Sequence, residues 1–256
     1  MNTLVTEEAA LILDRAQRTG LAVDQFGSYL DLVQAYAVQA RTLELRTERG
    51  EVATGRKLGF TSEAKMAQMG VSELIVGYLT DSMRVEEGGT LSLDGLVHPR
   101  VEPEIAFRLG TDVPAGSDVY DLMGAIDAVA PALEIIDSRY RDFRFSLPDV
   151  VADNTSACRY VIGSWQGMDN DVSNLPVSLK IDGTAVAEGS TSDILGDPLR
   201  TIPRLAAMSR TYGFDLHAGA IILAGAATAA VPLVAGSRVG SFIDGLGSVR
   251  LHVKGA

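Results

Sequence analysis

The sequence predicts an α+β fold, in which a mainly helical N-terminal part precedes a β-rich body. Two stretches within the first fifty residues, 7–19 and 30–49, place apolar residues at helical spacing. Beyond about residue 75, short runs rich in Val, Ile and Leu alternate with Gly, Asp and Pro, as strands alternate with turns. We therefore expect a helical part over residues 1–75 and a β-rich core, carrying the functional site, over residues 76–256.

The predicted elements follow in order along the chain. Gly50 ends the second helix, and a short third helix is expected over residues 63–69. The dipeptide Asp182-Gly183 separates two short runs and predicts a hairpin. Further helices fit residues 119–129 and 199–212, and the predicted strands span residues 90–93, 104–109, 132–136, 160–162, 177–181, 184–187, 220–223 and 248–253.

Charge narrows the classes of partner. The chain has 256 residues, is 46% hydrophobic, and has a net charge of -11 at pH 7. This charge repels the phosphate backbone of nucleic acids, which argues against such a partner. It also repels small dianionic substrates at long range, so an anionic substrate needs a local positive centre. Lys57 would supply one if its side chain points inward, although most lysines are simply solvated.

The cysteine content and the apolar stretches indicate a compartment. Cys158 is the single cysteine, so an intrachain disulfide is impossible and a reducing compartment fits. Residues 1–10 lack the basic and apolar regions of a signal peptide. The longest apolar stretch, residues 218–236, is interrupted by Gly, Thr and Pro, and it falls short of the ~20 apolar residues that span a bilayer. We expect a cytoplasmic protein with no membrane partner.

The sequence lacks the motifs of several common catalytic and cofactor-binding sites. The three histidines, His98, His217 and His252, are not spaced as zinc ligands are. The sequence contains neither a Gly-x-Ser-x-Gly elbow nor a Gly-x-x-x-x-Gly-Lys phosphate loop. One cysteine excludes an iron–sulfur cluster held by several thiolates of this chain.

Three glutamates form the strongest candidate site. Glu102 and Glu104 lie two residues apart on an extended segment and so point the same way. Adjacent carboxylates repel, and a hard divalent ion such as Mg²⁺, which prefers oxygen ligands, would compensate. Glu134 interrupts an apolar strand, where an ionised side chain needs a partner. The alternatives are a solvated strand edge for the pair, and for Glu134 an ion pair with Arg139 or Arg141.

Two segments rich in small residues could contact a ligand. Residues 151–157 offer Asn and Ser side chains and exposed amides that can bind a carboxylate, although turn and cap chemistry is the favoured explanation of such a segment alone. Residues 225–229, which follow a predicted strand, would let a ligand approach the backbone closely. Tight packing of small residues is the alternative for this second segment.

Taken together, these residues resemble the 2-hydroxypentadienoate hydratase and 4-oxalocrotonate decarboxylase family of the wider fumarylacetoacetate-hydrolase superfamily. The resemblance extends from about Leu30 to Val253. It is carried by Lys-Leu-Gly-Phe-Thr-Ser (57–62), Ala-Lys-Met-Ala-Gln-Met-Gly-Val (64–71), Gly-Tyr-Leu (77–79), His-Pro-Arg-Val-Glu-Pro-Glu-Ile (98–105), Leu-Glu-Ile-Ile-Asp-Ser-Arg (133–139), Val-Ala-Asp-Asn (151–154) and Gly-Leu-Gly-Ser-Val (245–249).

The resemblance implies a β-rich mixed-sheet core of the fumarylacetoacetate-hydrolase type behind an N-terminal helical part. It also implies a division of roles among the site residues. Lys57 and Asp81 would be catalytic groups near the reacting carbons. The implied Mg²⁺ ligands are Glu102, Glu104 and Glu134, with Mn²⁺ as an alternative metal, and the implied substrate-binding residues are Ser156, Thr228 and Arg139.

The implied reaction is the Mg²⁺-dependent decarboxylation of 4-oxalocrotonate (2-oxo-3-hexenedioate) to 2-hydroxypenta-2,4-dienoate and CO₂, in meta-cleavage catabolism of aromatic compounds. Residues 137–145 resemble the decarboxylase form, whereas hydratases tend to read Arg-Ile-x-Asp-Trp there. Asp197 departs from the pattern, because many members have His at that position. A 2-hydroxypenta-2,4-dienoate hydratase and a non-catalytic, partner-stabilising subunit are the alternatives. A complex with a pathway hydratase and a homo-oligomer are the implied assemblies.

Overall fold

The structure is a computed structural model that describes residues 3–62 and 74–255. Within these residues five α-helices are present, and two of them, at the N-terminus, pack together. Ion pairs between Arg49 and Asp14 (2.6 Å) and between Arg41 and Glu7 (2.7 Å) join these two helices. The helices are α1 (Thr3–Thr19), α2 (Leu32–Glu48), α3 (Val119–Ala125), α4 (Leu147–Ala152) and α5 (Thr201–Tyr212).

The strands of the described residues form two sheets. In chain order they are β1 (Ala53–Gly59), β2 (Ile75–Thr80), β3 (Thr90–Leu91), β4 (Arg100–Leu109), β5 (Ile126–Ile136), β6 (Ala157–Ile162), β7 (Pro176–Ile181), β8 (Thr184–Ser190), β9 (Ile221–Ala226), β10 (Val231–Pro232), β11 (Arg238–Ile243) and β12 (Gly247–Val253). The larger sheet has the order β2-β1-β9-β4-β5-β6, with β10 beside β4, and the smaller sheet has the order β3-β12-β11-β7-β8.

The larger sheet is mixed and curls into a half-barrel. β1 pairs with β9 in parallel, and the other pairs of this sheet are antiparallel. The hydroxyl of Thr54 on β1 lies 3.1 Å from that of Tyr160 on β6, although three strands separate β1 from β6 in the sheet order. The sheet therefore has a concave face, onto which side chains from distant strands converge.

The two sheets pack face to face through branched apolar side chains. Val101, Leu133 and Ile135 of the larger sheet join Leu251 and Val253 of the smaller one in a single buried cluster. Because neighbouring residues of a strand point to opposite faces, Glu102 and Glu134 must point away from the smaller sheet. The packing of the sheets thus fixes the face of β4 and β5 on which the acidic residues lie.

This architecture confirms the α+β fold that the sequence predicts, with a helical N-terminus before a sheet core. The Asp182-Gly183 hairpin joins β7 to β8, and both turn residues have positive φ. The helix predicted over residues 63–69 lies outside the described residues. The proposed division at residue 75 stays a prediction, although the larger sheet already begins at Ala53.

One helix and four strands differ from the sequence prediction. The helix expected over residues 119–129 ends at Ala125, because Ile126 already pairs with Leu109 as the first residue of β5. The strands β1, β2, β10 and β11 were not among the predicted strands. In β1, glycines and charged residues hide the usual β pattern. Gly55 is required there because a Cβ atom at this position would lie 1.9 Å from the Ile221 carbonyl oxygen. No described helix is long and apolar enough to cross a bilayer.

Candidate metal centre and substrate cavity

Three glutamates meet on the concave face of the larger sheet. Glu102 on β4 lies directly opposite Glu134 on β5, and Glu104 follows two residues later on the same face. One carboxylate oxygen from each residue lies within 4.8 Å of the others. Their relative exposures are 8%, 1% and 0% in the order Glu102, Glu104 and Glu134. The antiparallel register therefore builds a buried cluster of oxygen ligands.

Burial and mutual repulsion make full ionisation of this cluster costly. Burial, followed by the charge of Glu134, raises the pKa of Glu104 well above its ordinary value. The backbone N–H of Gly225 donates to Glu104 Oε2 at 2.9 Å and opposes this rise. The pKa of Glu134 is also raised, by burial and by the charge of Glu102. The ionised cluster therefore needs positive charge beside it.

Lys57 supplies part of that charge. Its Nζ lies 3.0 Å from Glu134 Oε2 and donates to the Thr155 carbonyl at 3.1 Å. Burial alone would lower the pKa of Lys57, but the charges of Glu134, Glu104 and Glu102 outweigh burial and raise it. The side chain is therefore a buried ammonium group. One such cation cannot neutralise three carboxylates, so the donor set leaves room for a divalent ion.

The donor set fits Mg²⁺ chemically. It consists of carboxylate oxygens, which are the ligands that Mg²⁺ and Mn²⁺ prefer. Glu134 Oε1 is buried and has no hydrogen-bond partner among the described residues. A buried oxygen without a partner is costly, and a cation would satisfy it. The residues that the structure brings together therefore suit a hard divalent cation.

A cavity of about 130 Å³ opens beside the cluster. Its polar lining consists of Glu102, Lys57, Thr155, Ser156 and Thr61. The remaining lining is apolar or glycine and consists of Leu58, Gly59, Phe60, Ile75, Ile136, Phe143, Phe145, Val150 and Ala226. The cavity therefore offers a few polar groups to a ligand among mainly apolar walls.

A strained turn forms part of the cavity lining. Asn154, Thr155 and Ser156 have positive φ values of 50°, 52° and 59°, which non-glycine residues seldom adopt. The Asn154 side chain fixes the turn to β2, since it accepts from the Tyr78 N–H at 2.7 Å and donates to the Tyr78 carbonyl at 3.0 Å. The hydroxyls of Thr155 and Ser156 are buried without a hydrogen-bond partner in the described chain. Two donors are thus held ready at the cavity.

Comparison with known proteins assigns this architecture to a family. The family model described as "Fumarylacetoacetate (FAA) hydrolase C-terminal" matches residues 54–254. The chain belongs to the fumarylacetoacetate hydrolase family. The matched segment begins in β1 and ends just after β12, so both sheets and every residue of the acidic cluster lie within the part that this family shares.

Within the fumarylacetoacetate hydrolase family, the chain is similar to decarboxylases and hydratases along most of its length. The chain is 47% identical to a 4-oxalocrotonate decarboxylase of Pseudomonas sp over 95% of its length and 96% of the relative's length. It is 37% identical to a 2-keto-4-pentenoate hydratase of Burkholderia vietnamiensis over 86% of its length and 85% of the relative's length. The chain also matches a solved structure of 4-oxalocrotonate decarboxylase from Pseudomonas putida G7, complexed with magnesium and adipate. The TM-score is 0.94 and the sequence identity 33%, and the match covers 99% of this chain and 98% of the solved chain.

The structure directs Arg139 away from the cavity. Its guanidinium is buried and donates to the Asp153 side chain and to the carbonyls of Asp137 (2.6 Å) and Ala157 (3.1 Å). These partners belong to the segments that flank the strained turn, and Arg139 is not among the residues that line the cavity. In this structure Arg139 makes a positioning contact, because its donors are already occupied inside the protein, and the substrate contact that the resemblance implies stays a prediction.

Asp81 is also not brought to the cavity. It is exposed at the end of β2, and its carboxylate accepts from the backbone N–H groups of Val52 (3.0 Å) and Ser82 (2.8 Å). Lys57 pairs with Gly77, four residues before Asp81 along the strand. At about 3.3 Å per residue, this spacing places Asp81 roughly 13 Å from the level of Lys57. In this structure Asp81 is a turn residue, and the catalytic role that the resemblance implies for it stays a prediction.

The remaining sequence candidates occupy the neighbourhood of the cluster. Ser156 lines the cavity. Thr228 lies two residues beyond Ala226, the residue that pairs with Glu104, and its hydroxyl donates to the Ala229 carbonyl at 3.0 Å. Thr228 is not one of the cavity-lining residues of the described chain. Asp197 caps a short 3-10 turn, where its carboxylate accepts from the Leu199 N–H at 2.9 Å.

Two functional contacts were missed by reading the sequence. Thr155 supplies both a free hydroxyl at the cavity and the carbonyl that binds Lys57. Gly225 supplies the N–H that holds Glu104, and a Cβ atom there would lie 2.0 Å from Thr61 Oγ1. The sequence signal for both was the density of small residues in the two segments. That signal identifies neither the residue nor the partner.

Proposed function

We propose that this protein is a Mg²⁺-dependent decarboxylase that converts 4-oxalocrotonate into 2-hydroxypenta-2,4-dienoate and CO₂. The observation that carries the proposal is the buried cluster of Glu102, Glu104 and Glu134 beside Lys57, next to a cavity with mainly apolar walls. The 47% identity to a 4-oxalocrotonate decarboxylase supports the same reaction. The substrate is a small dicarboxylate.

The three glutamates would hold the metal, and Mn²⁺ would fit the same oxygen donors. When bound, Mg²⁺ would act as a Lewis acid toward the negative charge that develops on the 2-oxo oxygen. Lys57 contributes a fixed ammonium group within hydrogen-bond distance of Glu134. Its charge favours the ionised cluster and stabilises an enolate formed beside it.

The chemical step breaks one carbon–carbon bond. The electron pair of the bond to the leaving carboxylate moves through the conjugated double bond toward the 2-oxo group, and CO₂ departs. A proton taken up on the enolate oxygen then gives the 2-hydroxydiene. Thr155 and Ser156 have hydroxyls available for the carboxylate next to the 2-oxo group. Their position in the cavity lining supports a role in orienting the substrate.

The carboxylate that leaves would lie among the apolar side chains of the cavity. Phe60, Phe143 and Phe145 line the cavity, and Lys57 is the single cation among the lining residues of the described chain. Arg100 lies over the ring of Phe143, 4.6 Å from its centroid, and does not line the cavity. An ionised carboxylate placed among aromatic rings loses hydration, and this loss favours its conversion into neutral CO₂.

Hydration of 2-hydroxypenta-2,4-dienoate is the second candidate, because hydratases 37% and 38% identical share most of the chain. Incubation of the purified protein and Mg²⁺ with each substrate separates the two reactions. CO₂ from 2-oxo-3-hexenedioate, with little loss of diene absorbance from 2-hydroxypenta-2,4-dienoate, is the expected result. Hydration of the diene without CO₂ release from the first substrate would make the protein a hydratase.

Two assemblies stay predictions: a complex with a hydratase of the same pathway, and a homo-oligomer. The cytoplasmic location that the sequence composition indicates also stays a prediction. A non-catalytic, partner-stabilising role is disfavoured by the buried acidic cluster, which such a role would not need. Binding of Mg²⁺ without turnover of either substrate would support that role instead.

A further inference from the structure

A second, larger cavity lies on the other side of the β1–β2 pair. It has a volume of about 840 Å³ and opens between α2, the end of α5 and the two strands. Arg56 faces this cavity, whereas Lys57, the next residue on β1, faces the metal centre. The two cavities share no lining residue in the described chain. The larger one is within the size range of small-molecule sites, roughly 300–1,000 Å³.

Arg56 has no anionic partner among the described residues. Its guanidinium lies over the ring of Phe214, 4.0 Å from the ring centroid, and burial lowers its pKa to about 10. Two other arginines that are buried in the fold, Arg46 and Arg139, each pair with a carboxylate. Arg100 and Arg159 are also partly buried without a carboxylate partner among the described residues, but of these three arginines Arg56 is the one that lines the cavity. A partly buried guanidinium without a carboxylate is electrostatically costly.

The carboxylates at the rim of this cavity do not pair with Arg56. Glu44 and Glu48 line the rim, but both bind Arg41, at 3.1 Å and 2.8 Å. Aromatic rings form much of the wall: Tyr36 and Tyr212 stack with centroids 3.8 Å apart. The cavity thus combines one cation that lacks its counter-ion with aromatic and aliphatic walls.

We propose that this cavity binds a small monocarboxylic acid with an apolar or aromatic body, whose carboxylate pairs with Arg56 and whose body packs against Tyr36, Tyr212 and Phe214. Guanidinium and carboxylate groups match in a bidentate geometry that an ammonium group cannot reproduce. A dicarboxylate is disfavoured, because the far end of the cavity offers no second unpaired cation in the described chain. This site does not require the metal.

Calorimetry with 4-phenylbutanoate and its neutral analogue 4-phenylbutanamide tests the proposal on the full chain without added metal. The carboxylate is expected to bind one site per chain at least about tenfold more tightly than the amide, as a hydrogen bond to a charged group implies. Arg56→Met should reduce its affinity to that of the amide. Arg204→Met removes an exposed arginine of α5 and should leave binding unchanged.

A cavity-filling variant keeps the test decisive if Arg56→Met fails to fold. Ala40→Trp places a bulky side chain at the α2 wall while Arg56 remains, and it should abolish binding of both compounds. Equal affinity for the acid and the amide would overturn the proposal. An absence of measurable binding would also overturn the proposal. The same holds if a folded Arg56→Met or Ala40→Trp protein keeps the wild-type affinity for 4-phenylbutanoate, because the ligand would then bind elsewhere, for example at the metal centre.

Discussion

Lys57 Nζ and Glu134 Oε2 lie 3.0 Å apart in the interior of the half-barrel, on strands that are not neighbours in the sheet. The sequence offered Arg139 or Arg141 as partners of Glu134, and neither is its partner. Arg139 binds Asp153, and Arg141 binds Asp24 at the surface. The lysine instead forms one electrostatic unit with the acidic cluster.

Replacement of Lys57 separates its catalytic role from its role in neutralising the cluster. Lys57→Met is expected to lower kcat by about a hundredfold or more, which is the usual effect of removing one group that stabilises developing negative charge. The same variant should gain more thermal stability from Mg²⁺ than the wild type, because the cluster loses its internal cation. Steady-state kinetics and a melting curve with and without Mg²⁺ measure both. Lys180→Met, at an exposed lysine of β7, is the control. Unchanged kcat would contradict the assigned role.

The acidic cluster predicts opposite effects on stability with and without metal. Because burial and neighbouring charge raise the pKa of Glu104, its ionised form is disfavoured in the metal-free protein. Glu104→Gln should therefore keep or raise Tm without metal, and should lose most of the Tm increase that Mg²⁺ gives the wild type. Glu188→Gln, at an exposed glutamate of β8, should respond to Mg²⁺ as the wild type does. A full Mg²⁺ response in Glu104→Gln would remove this residue from the ligand set.

The buried pair of Arg139 and Asp153 predicts a pH-dependent loss of stability. Arg139→Met leaves the Asp153 carboxylate unpaired, and such a change costs about 3–5 kcal/mol. Burial raises the pKa of Asp153 to about 6, above its ordinary 3.8, so the folded protein binds this proton more tightly than the unfolded chain. Its contribution to the free energy of unfolding therefore falls as pH rises through about 6. Without Arg139 the fall should be larger.

Urea unfolding at pH 5 and pH 8 measures this effect. The loss in Arg139→Met should be greater at pH 8 than at pH 5, where the carboxyl is protonated. Arg141→Met, which breaks an exposed pair with Asp24, should change the free energy of unfolding by at most about 1 kcal/mol at either pH. An equal loss at both pH values would show that Arg139 acts by packing alone.

The reactivity of Cys158 measures how well β6, which follows the turn after Asp153, stays folded. Burial raises the pKa of its thiol to about 11, so at pH 8 the folded protein holds almost none of the reactive thiolate. Reaction with a disulfide reagent such as DTNB should be slow in the native protein and fast in urea. Rapid native labelling at pH 8 would show that β6 opens readily or that the thiol is not buried.

Sequence patterns predicted the part of the site that depends on residue spacing along a single strand. Glu102 and Glu104 share a face because side chains alternate, and Glu134 stood out in an apolar run. The pairing of Lys57 with Glu134 could not be predicted, because it depends on β9 lying between β1 and β4. Sequence spacing holds no information about which strands become neighbours.

The roles of Arg139 and Asp81 could not be predicted for a related reason. Both are polar residues next to strands, and a polar residue can point into a cavity or bind nearby backbone groups. Arg139 is committed to carbonyls and Asp153, and Asp81 to the N–H groups of a turn. That choice is made by the local backbone path, which the composition of the segment leaves open.

Carbon dioxide release from substrate labelled with ¹³C at the leaving carboxylate tests the central claim most directly. Wild-type protein, treated with EDTA and then given Mg²⁺, should release ¹³CO₂ from 2-oxo-3-hexenedioate, and the metal-free sample should not. Folded Glu134→Gln should release almost none even with Mg²⁺, because the cluster that holds the ion is incomplete. Release by the EDTA-treated wild type without added metal, or undiminished release by Glu134→Gln, would contradict the assignment of the acidic cluster as the catalytic metal site.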